Sequence, residues 1–284
     1  MNVLTSIDEV RCASRAAHRD SKRVGVVPTM GALHEGHLSL VRAAKAHCDV
    51  VVVSIFVNPT QFGPNEDYAK YPRTFERDCQ MLEQEGADLV FAPTVDEMYP
   101  KGAVTYVTVE GMSEKLCGKS RPGHFRGVTT VVSKLFSAVE PDKAFFGQKD
   151  AAQVAIIRRM VRDLNLAVEI VVCPIVREPD GLAMSSRNAY LDPQQRKSAL
   201  ALSRSLKQVE DLYQKGEVDA TNLIQAGKKT IAQDAAVRLD YLEIVDPETL
   251  DPVRTITGPS LVAVAAFVGT TRLIDNTVLG RPDR

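Results

Sequence analysis

The chain has 284 residues, of which 44% are apolar and 25% charged, a composition typical of a globular protein with a hydrophobic core. Its 35 basic and 36 acidic side chains give a formal net charge of -1, so the overall charge argues against a nucleic-acid or anionic-membrane partner. The length predicts one large domain and one smaller domain.

Cysteine spacing and apolar runs indicate the cellular compartment. The five cysteines stand singly, none at C-x-x-C spacing, so we expect reduced thiols rather than disulfides or a zinc site. The first residues lack a charged segment followed by an apolar one, so no secretory signal is expected. Apolar runs such as residues 261–268 are too short to span a bilayer. These features predict a soluble, cytoplasmic protein.

Strand-like and helix-like segments alternate through the first half of the chain. The nearly continuous apolar run at residues 50–57 is typical of a strand buried on both faces of a parallel sheet. We predict a Rossmann-like, doubly wound α/β sheet, whose ligands bind beyond the carboxyl ends of the strands. The predicted strands are residues 24–27, 50–57, 88–91, 143–146 and 167–172, and the predicted helices are residues 38–48, 74–85, 127–139 and 151–164.

The pattern changes near residue 176, where two predicted helices precede three predicted strands. This order favours a small α+β domain. We therefore predict a nucleotide-binding domain at residues 1–175 and a smaller domain at residues 176–284, joined by a loop that could act as a hinge. The helices of the second domain are expected at residues 193–214 and 220–233, and its strands at residues 239–245, 261–267 and 272–278.

The strongest functional pattern is His34-Glu35-Gly36-His37, which follows the first predicted strand and begins the first helix. Two imidazoles three residues apart lie on one face of a helix, and free N–H groups at a helix N-terminus favour an anion. Gly36 lets a ligand approach the backbone closely. We interpret the pattern as a phosphate cradle whose imidazoles stabilise charge developing at an α-phosphorus. Two surface histidines, or half of a metal site lacking a third ligand, are the alternatives.

A second phosphate-binding pattern is Met184-Ser185-Ser186-Arg187. Two hydroxyls and a guanidinium suit the β- and γ-phosphates of a nucleotide. Taken alone, the segment would be interpreted as an ordinary polar loop. Its position relative to His34 and His37 changes that interpretation, because the pair resembles the HxGH and KMSKS-like motifs of the nucleotidyltransferase superfamily.

Charged and amide side chains at other strand ends complete the candidate site. Lys149 follows a predicted strand and is suited to a triphosphate, whereas Asp150 is expected to cap the next helix. Gln61 follows the second strand, and Gln153 lies one turn into the helix after Lys149. Uncharged carboxamides can hold a hydroxylated acid while leaving its carboxylate reactive. Each of these side chains could instead be a solvated loop or helix residue.

Five blocks in this order resemble the pantothenate synthetase (pantoate–β-alanine ligase) family. They are residues 28–37, 56–62, 121–128, 147–150 and 184–188, and the similarity covers essentially the whole chain. Ala183 and Arg187 stand where the KMSKS motif of tRNA synthetases has lysines, a departure that is usual for this family and argues against a synthetase of that kind.

The resemblance implies a Rossmann-like domain, a smaller lid domain and a homodimer. It also implies the reaction, in which ATP and pantoate give pantoyl adenylate, and β-alanine then displaces AMP. Mg²⁺ would be held mostly by phosphate oxygens and water rather than by a protein metal site. The implied ATP contacts are Met30, His34, His37, Gly147, Lys149, Asp150, Val176, Met184, Ser185, Ser186 and Arg187, of which His37, His34, Lys149 and Arg187 would be catalytic. The implied substrate contacts are Gln61, Gln153, Asn58 and Arg121.

Two other functions are compatible with the same motifs. A nucleotidyltransferase acting on a phosphorylated acceptor should line its acceptor pocket with several basic residues, whereas the loop after the second strand has Asn58, Thr60, Gln61 and Phe62. A nucleotide sensor that has lost catalysis would bind ATP without turnover. The presence of both histidines and both phosphate-binding loops argues against such a sensor.

Overall fold

The computed structural model describes residues 1–64 and 66–280. The chain forms two compact units, and each is assembled from several chain segments. The first unit comprises Met1–Glu114, Arg121–Gly147 and Ile156–Pro174, and the second comprises Lys115–Ser120, Gln148–Ala155 and Ile175–Arg284. The domain boundary after residue 175 stays a prediction, and the last four residues of the predicted second domain lie outside the described part of the chain.

A parallel sheet of six strands forms the first unit. Its connections run outward in opposite directions from the central pair, so the carboxyl ends of that pair mark the switch point where such sheets bind ligands. This confirms the predicted α/β fold class. In spatial order the strands are β1 (Asn2–Leu4), β4 (Leu89–Phe91), β3 (Val50–Ile55), β2 (Val24–Thr29), β5 (Lys143–Gly147) and β6 (Glu169–Cys173), with β2 and β5 as the central pair.

Helices connect these strands and make up much of the second unit. Within residues 1–64 and 66–280, no helix combines the length and the apolar character needed to cross a membrane. The helices are α1 (Ile7–Arg19), α2 (Glu35–His47), α3 (Phe75–Gln84), α4 (Val95–Met98), α5 (Cys117–Ser120), α6 (His124–Val139), α7 (Ala151–Asp163), α8 (Pro193–Gln214) and α9 (Ala220–Ile231).

The core of the first unit forms where strands are buried on both faces. Five of the six residues of β2 and four of the six residues of β3 are buried, as their apolar runs predict. One buried cluster joins Val27, Val41, Val53 and Phe145, which come from β2, α2, β3 and β5 respectively. The core therefore holds β2 and α2, and with them the turn between these elements, in a fixed position.

Strand β1 and helix α1 were not predicted, and two predicted helices begin earlier than expected. Helix α1 starts with a capping box, in which Ser6 Oγ accepts from the N–H of Glu9 and the Glu9 carboxylate accepts from the N–H of Ser6. Helix α2 starts at Glu35 rather than residue 38, and α6 starts at His124 rather than residue 127. Both early starts place motif residues within the first helical turn.

The second unit contains an antiparallel sheet in the order β7 (Val237–Val245), β8 (Ser260–Val268) and β9 (Thr271–Leu279). Eight of the nine residues of β8 are buried, and helices α8 and α9 contribute Leu202 and Leu223 to the same core. The predicted α+β arrangement of helices followed by strands is confirmed.

Candidate active site

A buried carboxylate fixes the turn that follows β2. Asp78 of α3 accepts hydrogen bonds from the backbone N–H groups of Ala32 and Leu33, at 2.8 and 2.9 Å, and from Thr74 Oγ1 at 3.0 Å. Gly31 adopts φ +76°, a left-handed conformation that favours glycine. Asp78 is fully buried, so these bonds form away from competing water. The turn therefore presents Met30 and the following histidine from a rigid backbone.

His34 and His37 lie together at the start of α2. His34 is the N-cap, its Nδ1 accepts from the N–H of Gly36 at 3.2 Å, and His37 Nδ1 accepts from the N–H of His34 at 3.4 Å. The ring centroids are 4.1 Å apart. We had expected these N–H groups to be available to an anion, but two of them are used by the imidazoles. An accepting Nδ1 leaves the proton of a neutral imidazole on Nε2, so each ring can donate from Nε2 to a phosphate oxygen.

The structure brings Gln61 and Met30 side by side in the first unit. Gln61 ends the short 3₁₀ helix Pro59–Gln61, and its Nε2 donates to Met30 Sδ at 3.0 Å. Asn58, the N-cap of the same turn, donates from Nδ2 to Gln61 Oε1 at 3.1 Å and is 1% exposed. Met30, a predicted ATP contact, and Gln61, a predicted substrate contact, therefore lie side by side. The buried Asn58 holds the side chain of Gln61.

Two side chains donate hydrogen bonds to the backbone carbonyl of Gln61. His124 Nδ1 lies 2.8 Å and Arg121 Nη2 lies 3.2 Å from this oxygen, and Arg121 also forms a two-point ion pair with Glu66 at 2.6 Å. Burial acts to raise the pKa of Glu66, but Arg121 outweighs burial and lowers the pKa below its ordinary value. Substrate contact by Arg121 stays a prediction, because its guanidinium already supports Gln61.

The second unit holds Lys149 by its backbone. Asn276 of β9 donates from Nδ2 to the carbonyl oxygens of Gln148 and Lys149, both at 2.9 Å, and Gln148 Nε2 donates to Asn276 Oδ1. Burial lowers the pKa of Lys149, an effect opposed by Asp150 and reinforced by the charge of Arg187. A lowered pKa reflects the cost of a positive charge at this position, which the negative charge of a phosphate would offset.

Asp150 does not occupy the N-cap position that the sequence suggested. It is the last residue of the 3₁₀ helix Gln148–Asp150, which runs directly into α7, so its backbone is already helical. An N-cap residue has non-helical backbone angles. The side chain of Asp150 is exposed, and Gln153 lies half-buried in the first turn of α7. Gly147 ends β5 with open space beside it, where a side chain would otherwise stand.

The loop with the second motif folds back as a hairpin. The N–H of Met184 donates to the carbonyl of Val176 at 3.0 Å, so two predicted ATP contacts are neighbours. Ser185 then caps the 3₁₀ helix Ser186–Tyr190 by accepting from the N–H of Arg187 at 3.3 Å. A small cavity in this unit is lined by both Ser185 and Lys149. The structure therefore gathers the second motif and Lys149 in one place.

Three supporting residues were missed by the sequence analysis. Asp78 resembles any other acidic residue of a helix in the sequence, and Asn276 resembles an ordinary polar residue of a strand. His124 lies inside the block at residues 121–128 but was given no role. Only the folded chain shows that these side chains hold the backbone of the candidate site.

A parallel α/β sheet with an HxGH turn at the carboxyl end of a central strand defines a nucleotide-binding protein of the nucleotidyltransferase type. Residues 2–278 match the family model for pantoate-beta-alanine ligase. The chain therefore belongs to the pantoate–β-alanine ligase family.

Curated relatives and solved structures agree with this family. The chain is 62% identical over 279 residues to a pantothenate synthetase of Koribacter versatilis, covering 98% of this chain and 96% of the relative. It is 59% identical over 280 residues to that of Thermotoga neapolitana, covering 99% and 100%. The Thermus thermophilus pantothenate synthetase structure aligns with a TM-score of 0.93 at 47% identity, covering 98% and 99% of the two chains. A Francisella tularensis ligase structure, complexed with beta-gamma ATP and beta-alanine, aligns with a TM-score of 0.76 at 33% identity, covering 98% and 97%.

Proposed function

We propose that this protein condenses pantoate with β-alanine at the expense of ATP, releasing AMP and pyrophosphate through a pantoyl-adenylate intermediate. The observation that carries the proposal is the match to the ligase family over residues 2–278. The HxGH turn at the start of α2 supports it. The Francisella tularensis relative, complexed with beta-gamma ATP and beta-alanine, supports ATP and β-alanine as substrates.

The first half-reaction needs charge stabilisation more than covalent catalysis. The pantoate carboxylate attacks the α-phosphorus of ATP in line, and pyrophosphate leaves. Donors from Nε2 of His37 and His34 would stabilise the charge that develops on the α-phosphate. Lys149 and Arg187 would neutralise the departing pyrophosphate. The remaining residues proposed to contact ATP are Met30, Gly147, Asp150, Val176, Met184, Ser185 and Ser186.

Pantoate is proposed to bind through the amides of Gln61 and Gln153. Neither amide carries charge, so each can bond the hydroxyl and carboxylate oxygens without lowering the nucleophilicity of the acid as a bound cation would. Asn58 and Arg121 are also proposed to contact pantoate, and both donate to Gln61, Asn58 to its side-chain oxygen and Arg121 to its backbone carbonyl. In the second half-reaction, the amine of β-alanine attacks the acyl carbon of the adenylate and displaces AMP.

We propose that Mg²⁺ accompanies ATP and neutralises its phosphates. Within the described residues, no group of three or more His, Cys, Asp or Glu side chains is arranged to hold a metal ion. Phosphate oxygens and water would therefore supply most of its ligands, as magnesium commonly prefers. We also propose that the protein acts as a homodimer in the cytoplasm, and light scattering on the purified protein tests its oligomeric state.

Pyrophosphate exchange tests the proposed function directly. Formation of an acyl adenylate is reversible before the amine is needed, so labelled pyrophosphate should enter ATP when pantoate and Mg²⁺ are present and β-alanine is absent. A nucleotidyltransferase for a phosphorylated acceptor would show no pantoate-dependent exchange, and a nucleotide sensor would show none with any acid. Absence of exchange in a preparation that binds ATP would exclude the adenylate mechanism.

A further inference from the structure

Both N–H groups of the Asn58 amide donate a hydrogen bond. Its Nδ2 donates to Gln61 Oε1 and to the carbonyl oxygen of Gly127, each at 3.1 Å. Its Oδ1 accepts from Thr60 Oγ1 at 2.9 Å and from Tyr99 Oη at 2.8 Å. All of these groups belong to the first unit, and Asn58 is almost completely buried.

These partners allow only one orientation of the Asn58 amide. Rotating the amide by half a turn would set its oxygen against the carbonyl of Gly127 and its N–H groups against the hydroxyls of Thr60 and Tyr99. The carbonyl of Gly127 cannot donate, and the backbone N–H of Thr60, which donates to Asn58 Oδ1, cannot accept. That orientation would therefore set oxygen against oxygen and N–H against N–H in a buried place, at a high energetic cost. Asn58 therefore always presents N–H to Gln61, and Gln61 turns its own oxygen toward Asn58.

Tyr99 is the distant member of this network. Thr60 is two residues from Asn58, whereas Tyr99 comes from the end of α4, 41 residues away in sequence. The tyrosine ring packs near Phe56, with centroids 6.3 Å apart, so the hydroxyl is held in place by its own packing. Burial raises the pKa of Tyr99, which keeps the phenol protonated and able to donate.

We propose that Tyr99 is a positioning residue for the acid substrate, because its bond to Asn58, together with those of Thr60 and Gly127, fixes the Gln61 amide with its N–H side directed away from Asn58, where a substrate oxygen can accept from it. The proposal rests on the proposed function, in which Gln61 contacts pantoate. It adds a specificity rule: an amide N–H selects a hydroxyl or carboxylate oxygen and discriminates against the ammonium group of an amine substrate. The donor bond from Gln61 Nε2 to Met30 Sδ agrees with the same orientation of the amide.

Tyr99→Phe tests the proposal, because it keeps the ring and removes only the hydroxyl. The KM for pantoate in pyrophosphate exchange should rise about 3- to 10-fold, the range expected for one lost hydrogen bond, while the KM for ATP changes less than about 2-fold. A general loss of stability would lower the amount of active enzyme, and with it the maximal rate, and would leave both KM values unchanged. Tyr106→Phe is the matched control, since Tyr106 is an exposed tyrosine of the same unit whose ring stacks on Arg126.

A double-mutant cycle shows whether Tyr99 acts through Gln61. In a Gln61→Ala background, Tyr99→Phe should have no further effect on the KM for pantoate. An equal effect in both backgrounds, or an unchanged KM in the single variant, would overturn the proposal. Asn58→Asp is a second test: its carboxylate cannot donate to Gln61, so the Gln61 amide should reverse, and the KM for pantoate should rise at least as much as in Tyr99→Phe. If wild-type protein lacks pantoate-dependent exchange, the proposed function itself fails, a result distinct from failure of the inference.

Discussion

His37 is the residue on which the proposed chemistry depends most. Its Nδ1 accepts from the backbone, so its Nε2 donor is directed by the fold before ATP binds. Loss of one such donor at a developing charge costs roughly 10²–10³ in turnover in comparable sites. We expect His37→Ala to lower the turnover number by this factor, with a smaller change in ATP affinity.

The control for this prediction is His47→Ala, on the exposed last turn of the same helix. It should leave turnover unchanged. Steady-state kinetics and ATP titration of both variants provide the measurement, after circular dichroism has shown that they are folded. Near-normal turnover in folded His37→Ala would remove His37 from the catalytic role.

Asp78 is a second residue whose role can be tested, because its carboxylate holds the turn after β2. In Asp78→Asn one carboxylate oxygen becomes an NH₂ group that faces a backbone N–H, so the turn at residues 30–33 loses an acceptor. The free energy of unfolding should fall by about 1–3 kcal/mol, the usual cost of a stranded buried group. ATP affinity should also weaken, because the turn carries Met30 and His34. Urea unfolding and ATP titration provide the measurements, with the exposed Asp20→Asn as the control that should behave like wild type. Wild-type stability and ATP affinity in Asp78→Asn would contradict the prediction.

Among the secondary-structure elements, the packing of α6 against the Pro59–Gln61 turn depends on Gly127. A Cβ at this position would lie 2.3 Å from the carbonyl oxygen of Thr60 and 2.6 Å from the backbone nitrogen of Gln61. Helix propensity alone predicts that Gly127→Ala stabilises the protein by about 1 kcal/mol. The clash with backbone should reverse the sign and destabilise by about 1–3 kcal/mol.

Gly258→Ala provides a matched comparison for Gly127, because a Cβ at Gly258 meets open space. Its free energy of unfolding should stay close to that of wild type. Gly127→Ala should in addition raise the KM for pantoate, since the displaced turn carries Gln61. Increased stability of Gly127→Ala would show that α6 can move away at no cost, contrary to the close approach in the structure.

The hairpin at residues 176–184 and the following 3₁₀ helix are the elements most suited to respond to ATP. Local backbone bonds, including the bond from Met184 to Val176, and the ion pairs of Arg177 with Asp275 and of Glu178 with Arg196 hold them, while most of the hairpin stays at least partly exposed. Segments of this kind open readily and become ordered when a ligand binds. Amide hydrogen exchange over residues 177–190 should slow when ATP and Mg²⁺ are added, whereas α8 should be unaffected. Equal exchange in both states would mean that the segment does not bind phosphate.

Elements that bury an apolar pattern could be predicted from the sequence, and contacts between distant residues could not. Helix α8 was predicted with the bounds that the structure has, and β8 within one residue at each end. Strand β1 is three residues long and only partly buried, so it offers no pattern to find. The missed α1 did carry a signal, its Ser6-x-x-Glu9 capping box.

In the candidate site, the motif residues could be predicted from the sequence and the residues that support them could not. Its motif residues follow strands, and their positions could be predicted from where the strands end. Their supports could not, because the bond between Ala32 and Asp78 joins residues 46 positions apart, and that between Asn276 and Lys149 joins residues 127 apart. A sequence pattern indicates the local structure of nearby residues, whereas these bonds depend on which distant segments come into contact after folding.

For the whole molecule, we propose that the boundary after residue 175 separates two cores. The core cluster of the second unit is drawn entirely from residues 182–279, although segments 115–120 and 148–155 also belong to that unit. A fragment of residues 176–284 should therefore unfold cooperatively in urea. It should not bind ATP, because it lacks Lys149 and both HxGH histidines. A gradual, non-cooperative transition would show that the missing segments are needed for this core.

The pairing of Asn276 with Lys149 also sets an order of events during synthesis. A ribosome adds roughly 5–20 residues each second, and domains generally begin to fold as they emerge. The first unit is fully translated by Pro174, yet the backbone of Lys149 gains its amide partner only when β9 has left the exit tunnel. We therefore expect the turn with His34 and His37 to form before the backbone of Lys149, the lysine proposed to bind phosphate, is held by Asn276, and activity to begin only after β9 has been made.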